Sequence, residues 1–369
     1  MEIQLNKRLS TLAAQGLADG VFCGISAGLS IGHQGTRFRT LFSGGKTRMD
    51  DLGREVKQKT LFDLASLTKP LATVLCSLNL IDQGKLNWQD LLTTFFPEGA
   101  QKIRIRHLLQ HSSGLPAYKP YYQQFGPRQS LESKSRLIAD IVREPLGYAT
   151  GSTSVYSDLG FILLGNIIEQ CVRMPLDQLY EQEITKPLGL ERELRFLPIQ
   201  EQNKGSSSDV AATEYCTWRQ STVQGEVHDE NCWLMGGVAG HAGLFGTIGA
   251  VMRLCELLLD VWKGYATHPA FRSELLCHVF TNRHPQSGWC LGFDTPTPGA
   301  SSSGRYFSSA SVGHLGFSGT SFWIDPEKEV VVVLLTNRIH PTRDNVKIRT
   351  YRPFFHDQLM KIICGEKGK

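Results

Sequence analysis

Where the two hydrophobic periodicities fall constrains this chain most. Alternating, strand-type runs sit near both ends, and helical spacing dominates the middle. From Cys23 to Arg48 two strand-like runs flank the turn His33-Gln34-Gly35, with Phe38 and Thr40 alternating against Arg37 and Arg39. Near the other end, Gly313 to Ile324 and Glu329 to Thr336 read as two strands joined by Asp325-Pro326-Glu327-Lys328. Residues 85–230 carry few strand signals and several helical ones, including Leu159 to Val172. Such a chain predicts one mixed sheet built from both termini, with a helical domain inserted between them.

The remaining elements fit this frame. Leu5, Leu9, Leu12, Ala13 and Leu17, interrupted by Lys7, Arg8 and Gln15, form an amphipathic helix and not the apolar core of a signal peptide. A cytoplasmic location is therefore expected, or export if a signal has been removed. A helix is predicted from Ser66 to about Ile81 and stopped by Asp82-Gln83-Gly84; another runs from Ile248 to Trp262 with Thr247 as N-cap. Phe355, Leu359 and Ile362 mark a closing helix, and 203–209 (NKGSSSD) and 299–305 (GASSSGR) read as loops. A net charge of +4 on 369 residues is too mild to imply nucleic acid or a membrane surface, and no apolar run approaches a membrane span. The nine cysteines form no C-x-x-C pair; Cys76, Cys255 and Cys364 read as reduced core residues.

Three serines compete as nucleophile. Gly24-Ile25-Ser26-Ala27-Gly28 matches the G-x-S-x-G elbow, but the residues after it read as a strand running into a turn, where an elbow needs a helix. Ser43-Gly44-Gly45-Lys46 and Ser66-Leu67-Thr68-Lys69 both match Ser-x-x-Lys. Only the second opens a helix, which would place the lysine amine one turn from the hydroxyl and the serine at the positive end of the helix dipole. Pro70 falls in the first turn, where its missing N–H does little harm.

Two further stretches follow in order: Tyr156-Ser157-Asp158 before an apolar helical run, and His314-Leu315-Gly316 opening the C-terminal hairpin. With Ser66 and Lys69 they resemble the S-x-x-K, Y-x-N and K-T-G or H-x-G boxes of penicillin-recognising serine enzymes. The intervals between boxes are similar to those of class C β-lactamases, D-Ala-D-Ala carboxypeptidases and β-lactamase-fold esterases. The runs from Ile105 to Leu115, Gly236 to Phe245 and Gly313 to Pro326 also resemble this family, so the likeness spans roughly residues 20–340.

The resemblance implies an α+β, β-lactamase/transpeptidase-like fold: an antiparallel sheet flanked by helices from residues 1–65 and 232–369, with an all-helical domain at 66–231. It implies that Ser66 is acylated, that Lys69 and Tyr156 share the base work, and that the Ser66 and Phe317 N–H groups form the oxyanion hole. Asp158, His314 and Gly316 would contact substrate, His314 through a substrate carboxylate or the Tyr156 hydroxyl. No metal or organic cofactor is implied; the partner is a small-molecule or peptide-like acyl substrate. Two departures stand out. Asp158 replaces the Asn that donates to a substrate amide, and His314 replaces the more usual Lys, so both argue against efficient β-lactam hydrolysis. Asp158 beside Lys69 would also hold the ammonium charged and shift the base role toward Tyr156. An esterase-like serine hydrolase is expected. A D-alanyl-D-alanine carboxypeptidase or β-lactamase is the alternative enzyme, and a catalytically silent binding or assembly protein the alternative of another class. His107 and His111 stand four apart but lack the Glu of H-E-x-x-H, and read as hydrogen-bonded structural residues. His228-Asp229-Glu230-Asn231 reads as a capped turn or a site edge.

Overall fold

The computed structural model of the protein describes residues 1–33, 36–100, 102–127, 131–199 and 209–365. The expected 203–209 loop lies outside the described residues except for Asp209, as do Gln34 and Gly35 of the first turn. In chain order the strands are β1 (Gly24–His33), β2 (Thr36–Gly45), β3 (Phe62–Asp63), β4 (Leu194–Phe196), β5 (Tyr215–Cys216) and β6 (Ser221–Thr222). They continue with β7 (Leu244–Gly246), β8 (Val312–Leu315), β9 (Ser321–Asp325) and β10 (Val330–Thr336).

The main sheet has the order β2-β1-β10-β9-β8 and is antiparallel throughout. Strand β10 is apolar without alternation because helices cover both of its faces. Val330, Val332 and Leu334 pack under the helices Glu2–Ala18 and Ile348–Ile363, with Leu5, Leu9, Leu12, Tyr351 and Phe355. Val331, Val333 and Leu335 face the other way, against the helix Ile248–Lys263 and the helical body. Thr247 caps that helix as expected, its hydroxyl accepting from the Ala250 N–H at 3.3 Å. Of the cysteines read as core, Cys76 and Cys255 are buried, whereas Cys364 is exposed past the last helix.

Two elements differ from the sequence reading. The run Gly313 to Ile324 is not one strand but β8 and β9, folded back at Gly316–Thr320, where the Gly316 N–H donates to the Thr320 carbonyl at 2.8 Å. Gly319 makes this possible with φ +105, and a side chain there would run into Thr336 and Arg338. The Ser66 helix begins as a 3-10 turn (Ala65–Leu67), widens into a π-helical stretch (Lys69–Val74) and becomes α-helical over Leu75–Asp82. Pro70, with no N–H to donate, sits in the widened part.

A second sheet, β3-β7-β4, pairs residues from both sides of the expected boundary at 231/232. Leu71 and Phe161 of the helical segment share one core with Phe245, Val331 and Val333. The inserted segment and the sheet are thus joined by common packing beneath the site. Among the described residues, no single helix is long and apolar enough to cross a membrane.

Candidate active site

Strand β3 delivers the chain to Ser66 through a strained corner. Ala65 is buried with φ +48, unfavourable for a residue with a Cβ, and the strain is held by Asp63. The buried Asp63 carboxylate accepts from the Ala65 N–H at 2.8 Å with one oxygen and from the His228 N–H at 2.7 Å with the other. The corner turns Ser66 into a cavity of about 300 Å³ whose walls include Asp63, Tyr118, Tyr156, Asp158, Asp229 and Phe317.

Lys69 is wholly buried, and its Nζ lies 3.1 Å from Ser66 Oγ, 2.6 Å from Asp158 Oδ1 and 3.2 Å from the His241 carbonyl. Burial pulls its pKa down, but Asp158 and Tyr156 outweigh that and the net shift is upward, so the ammonium stays charged. Ser157 caps the helix Asp158–Val172, placing Asp158 in its first turn and Tyr156 just before it. Lys69 Nζ lies 4.8 Å from the centroid of the Tyr156 ring. Burial pushes the Tyr156 hydroxyl up to about 12, opposed by the Lys69 charge and supported by that of Asp158. Its ring is boxed by His111, Trp289 and His314 at centroid distances of 4.6, 5.7 and 5.9 Å.

The β8–β9 turn supplies the facing wall. Phe317 lines the cavity with Ser66, and among the described residues neither backbone N–H donates to a protein carbonyl. The turn is tied to the strand that leads to Ser66: the Ser318 hydroxyl donates to the Asp63 carbonyl at 2.7 Å and that of Thr320 to the Leu64 carbonyl at 3.1 Å. These two bonds hold the turn that carries Phe317 beside the corner that carries Ser66.

Neither His314 nor Gly316 is among the residues that line the cavity, and His314 packs beside the Tyr156 ring at 5.9 Å. His314 is buried, its Nδ1 lies 2.8 Å from the Leu315 carbonyl, and burial with the nearby Lys69 charge lowers its pKa to about 3. It is a neutral neighbour of Tyr156 and cannot supply a cation for a substrate carboxylate. Gly316 has both backbone groups engaged, its N–H with Thr320 and its carbonyl with Arg352, and the Thr320 side chain and Leu64 carbonyl leave no room for a Cβ. Asp158 does line the cavity, with its carboxylate committed to Lys69.

The competing serines lie elsewhere. Ser26 and Ser43 face each other across β1 and β2, and their hydroxyls bond to one another at 2.8 Å. His107 Nδ1 and His111 Nδ1 each accept a backbone N–H, from Arg104 and Ser157, at 3.1 Å. The second of these bonds helps position Tyr156.

Sequence reasoning missed much of the cavity's charged wall. Arg343 reaches Glu214 Oε2 at 2.8 Å and Glu230 Oε1 at 2.7 Å. Asp229 both caps the helix Glu230–Leu234 and bonds His241 Nε2 at 2.8 Å. Burial would raise Asp229, but His241 and the Cys232 N–H bring it well below the ordinary carboxylate value. Four acidic residues (Asp63, Asp158, Asp229, Glu230) line the cavity together with Arg343, which is paired with Glu214 and Glu230, while the buried Lys69 behind the cavity is paired with Asp158. The 228–231 cluster is therefore a capped turn and a site edge at once; its charge was a visible signal, whereas Arg343 carried none.

Comparison with known proteins agrees with this architecture. A Salmonella agona protein with a provisional D-alanyl-D-alanine carboxypeptidase name is 35% identical over 322 residues, covering 78% of this chain and 72% of its own. The octameric penicillin-binding protein homologue from Pyrococcus abyssi superposes with a TM-score of 0.73 at 19% identity, over 98% of this chain and 78% of that one. EstCE1, described as a hydrolase with promiscuous acyltransferase activity, gives 0.70 at 20% identity, over 95% and 99%. The beta-lactamase profile matches residues 11–354, a span that contains the Ser66 corner, the Lys69–Asp158 pair, Tyr156 and the Phe317 turn. On that match and the 35% identical relative, the chain belongs to the beta-lactamase family, whose serine hydrolase fold it shares.

Proposed function

We propose that the protein is a serine hydrolase that takes the acyl group of an ester or amide onto Ser66 and passes it to water, with a preference for esters. The observation that carries this reading is the position of Lys69 Nζ, between Ser66 Oγ and Asp158, beneath a cavity that Ser66, Tyr156 and Asp158 line. Ser66 Oγ attacks the carbonyl carbon as its proton passes to the deprotonated Tyr156 oxygen, a phenolate that the Lys69 charge stabilises. The N–H groups of Ser66 and Phe317 receive the oxyanion, and Tyr156 returns the proton to the leaving oxygen or nitrogen. Water then attacks the acyl-enzyme by the same route in reverse, releasing the acid and restoring Ser66.

The preference for esters follows from charge. Asp158 offers a substrate amide no donor, and a substrate carboxylate, as in a penicillin or a D-Ala terminus, would find Arg343 as the cavity's arginine only with its guanidinium already bound to Glu214 and Glu230. The carboxypeptidase reading is supported by the name of the 35% identical relative.

Intact-protein mass spectrometry separates the two. A short-chain aryl ester should leave an acyl adduct, and a penicillin at the same concentration should leave far less. Ser66→Ala should form no adduct, while Ser26→Ala and Ser43→Ala should react as wild type. An adduct retained by Ser66→Ala overturns the assignment, and faster acylation by penicillin than by ester overturns the preference.

A further inference from the structure

A second cavity, of about 720 Å³, lies outside the acylation site, between residues 296–309 and the helix Ile348–Ile363. Its charged walls are Arg305, Arg349, Arg352 and Asp357. Asp357 is already occupied, one oxygen accepting the Arg305 N–H at 2.6 Å and the other the Arg305 Nε–H at 3.2 Å. Arg349 and Arg352 have no carboxylate partner among the described residues.

Arg352 makes this arrangement informative. It is only 7% exposed, and its Nη2 donates to the Gly316 and Thr320 carbonyls at 2.7 and 2.8 Å; its Nε has no acceptor and is sealed from the cavity, so only Nη1, which has no protein acceptor among the described residues, is left for a ligand. A buried guanidinium with only neutral oxygens for company is costly unless an anion completes it. Burial and the neighbouring Arg338 lower its pKa to about 9, with no carboxylate opposing them. Arg349 and Arg352 are also three apart in the first two turns of a helix, on one face, where the helix dipole repels cations and favours an anion. Ser302 and Ser309 line the same cavity.

We propose that this cavity binds a small anion of the phosphate type, held by Arg349 and Arg352. A planar guanidinium suits such an oxyanion, and the volume leaves room for an organic group attached to it. Because Arg352 grips both ends of the Gly316–Thr320 turn, occupancy is felt where Phe317 presents its N–H; this coupling rests on the oxyanion-hole reading above, whereas the binding itself does not.

Isothermal titration of the full chain with inorganic phosphate and with glucose 6-phosphate, at constant ionic strength, tests the site. Saturable one-to-one binding is expected, weakened at least about tenfold in Arg349→Gln, whose wild-type side chain has no hydrogen-bond or ion-pair partner among the described residues. Tighter binding of the sugar phosphate supports an organic phosphate and equal binding the free ion. No saturable binding, or equal binding by Arg349→Gln, overturns the proposal. Aryl-ester turnover should change with phosphate over the concentration range of the calorimetric isotherm; binding without such a change overturns the coupling alone. An inactive chain that still binds phosphate would refute the hydrolase reading and leave the anion site standing.

Discussion

Lys69 is buried with Asp158 as its counter-charge, and that pair dictates how the site responds to pH. With Tyr156 pushed up to about 12 and Lys69 shifted upward, both are protonated at neutral pH, and only the small deprotonated fraction can accept the Ser66 proton. Aryl-ester kcat/KM should therefore climb by up to about tenfold per pH unit through the neutral range. The Asp158 charge raises both groups, so Asp158→Asn lowers both and moves this rise toward lower pH, by about one unit. A pH–rate profile of the two proteins checks the sign; superimposable limbs would remove Asp158 from the proton path. At this scale Ser66, Lys69 and Tyr156 were legible because their types and order are local information. The burial that leaves His314 neutral, and the ion pairs that bring Arg343 to Glu214 and Glu230, depend on neighbours distant in the chain.

Elements were legible where one segment carries its own signal. The helix Ile248–Lys263 has both its period and its Thr247 cap, whereas the turn between β8 and β9 is set by Asp63, Leu64 and Arg352, which the local pattern does not contain. Elements also position one another through close backbone approach. Gly165, inside the helix Asp158–Val172, lies so near Gly240 that a Cβ on Gly240 would collide with the Phe161 carbonyl and press on Gly165. The next residue, His241, gives its carbonyl to Lys69. Gly240→Ala should therefore push apart the helix bearing Asp158 and the loop bearing His241. Thermal unfolding should show a loss of about 1–3 kcal/mol, and ester turnover should fall with it. Unchanged melting and turnover would show that the two elements are not held by this contact.

At the scale of the whole molecule, strands near both ends announced a sheet built from both termini. The shared core beneath it, and the β3-β7-β4 sheet that crosses the expected boundary, could not be read from periodicity, which says which face is buried but not against what. The main sheet keeps the acylation site and the terminal helices on separate faces. Leu9, fully buried between the helix Glu2–Ala18 and the sheet, belongs to the cluster that Tyr351 and Phe355 complete. Leu9→Ala should cost about 2–5 kcal/mol in denaturant unfolding while leaving kcat of the folded protein unchanged. A matching loss of kcat would mean that the two faces are mechanically coupled.

The pairing of β1 with β10 has a consequence for how the protein comes into being. Gly28 meets Val333 across the centre of the sheet, so a strand made early must wait for a partner that leaves the ribosome roughly 300 residues later. Until then the inner edge of the β1–β2 hairpin is open, which is the period in which a nascent chain is most prone to mispair and most in need of a chaperone. A translation product stalled at residue 320 would already carry Ser66, Lys69, Tyr156 and Phe317, yet without β10 it would have no central strand to hold the Phe317 turn beside Ser66. Reaction at Ser66 should thus begin only after β10 has been made, at residue 336.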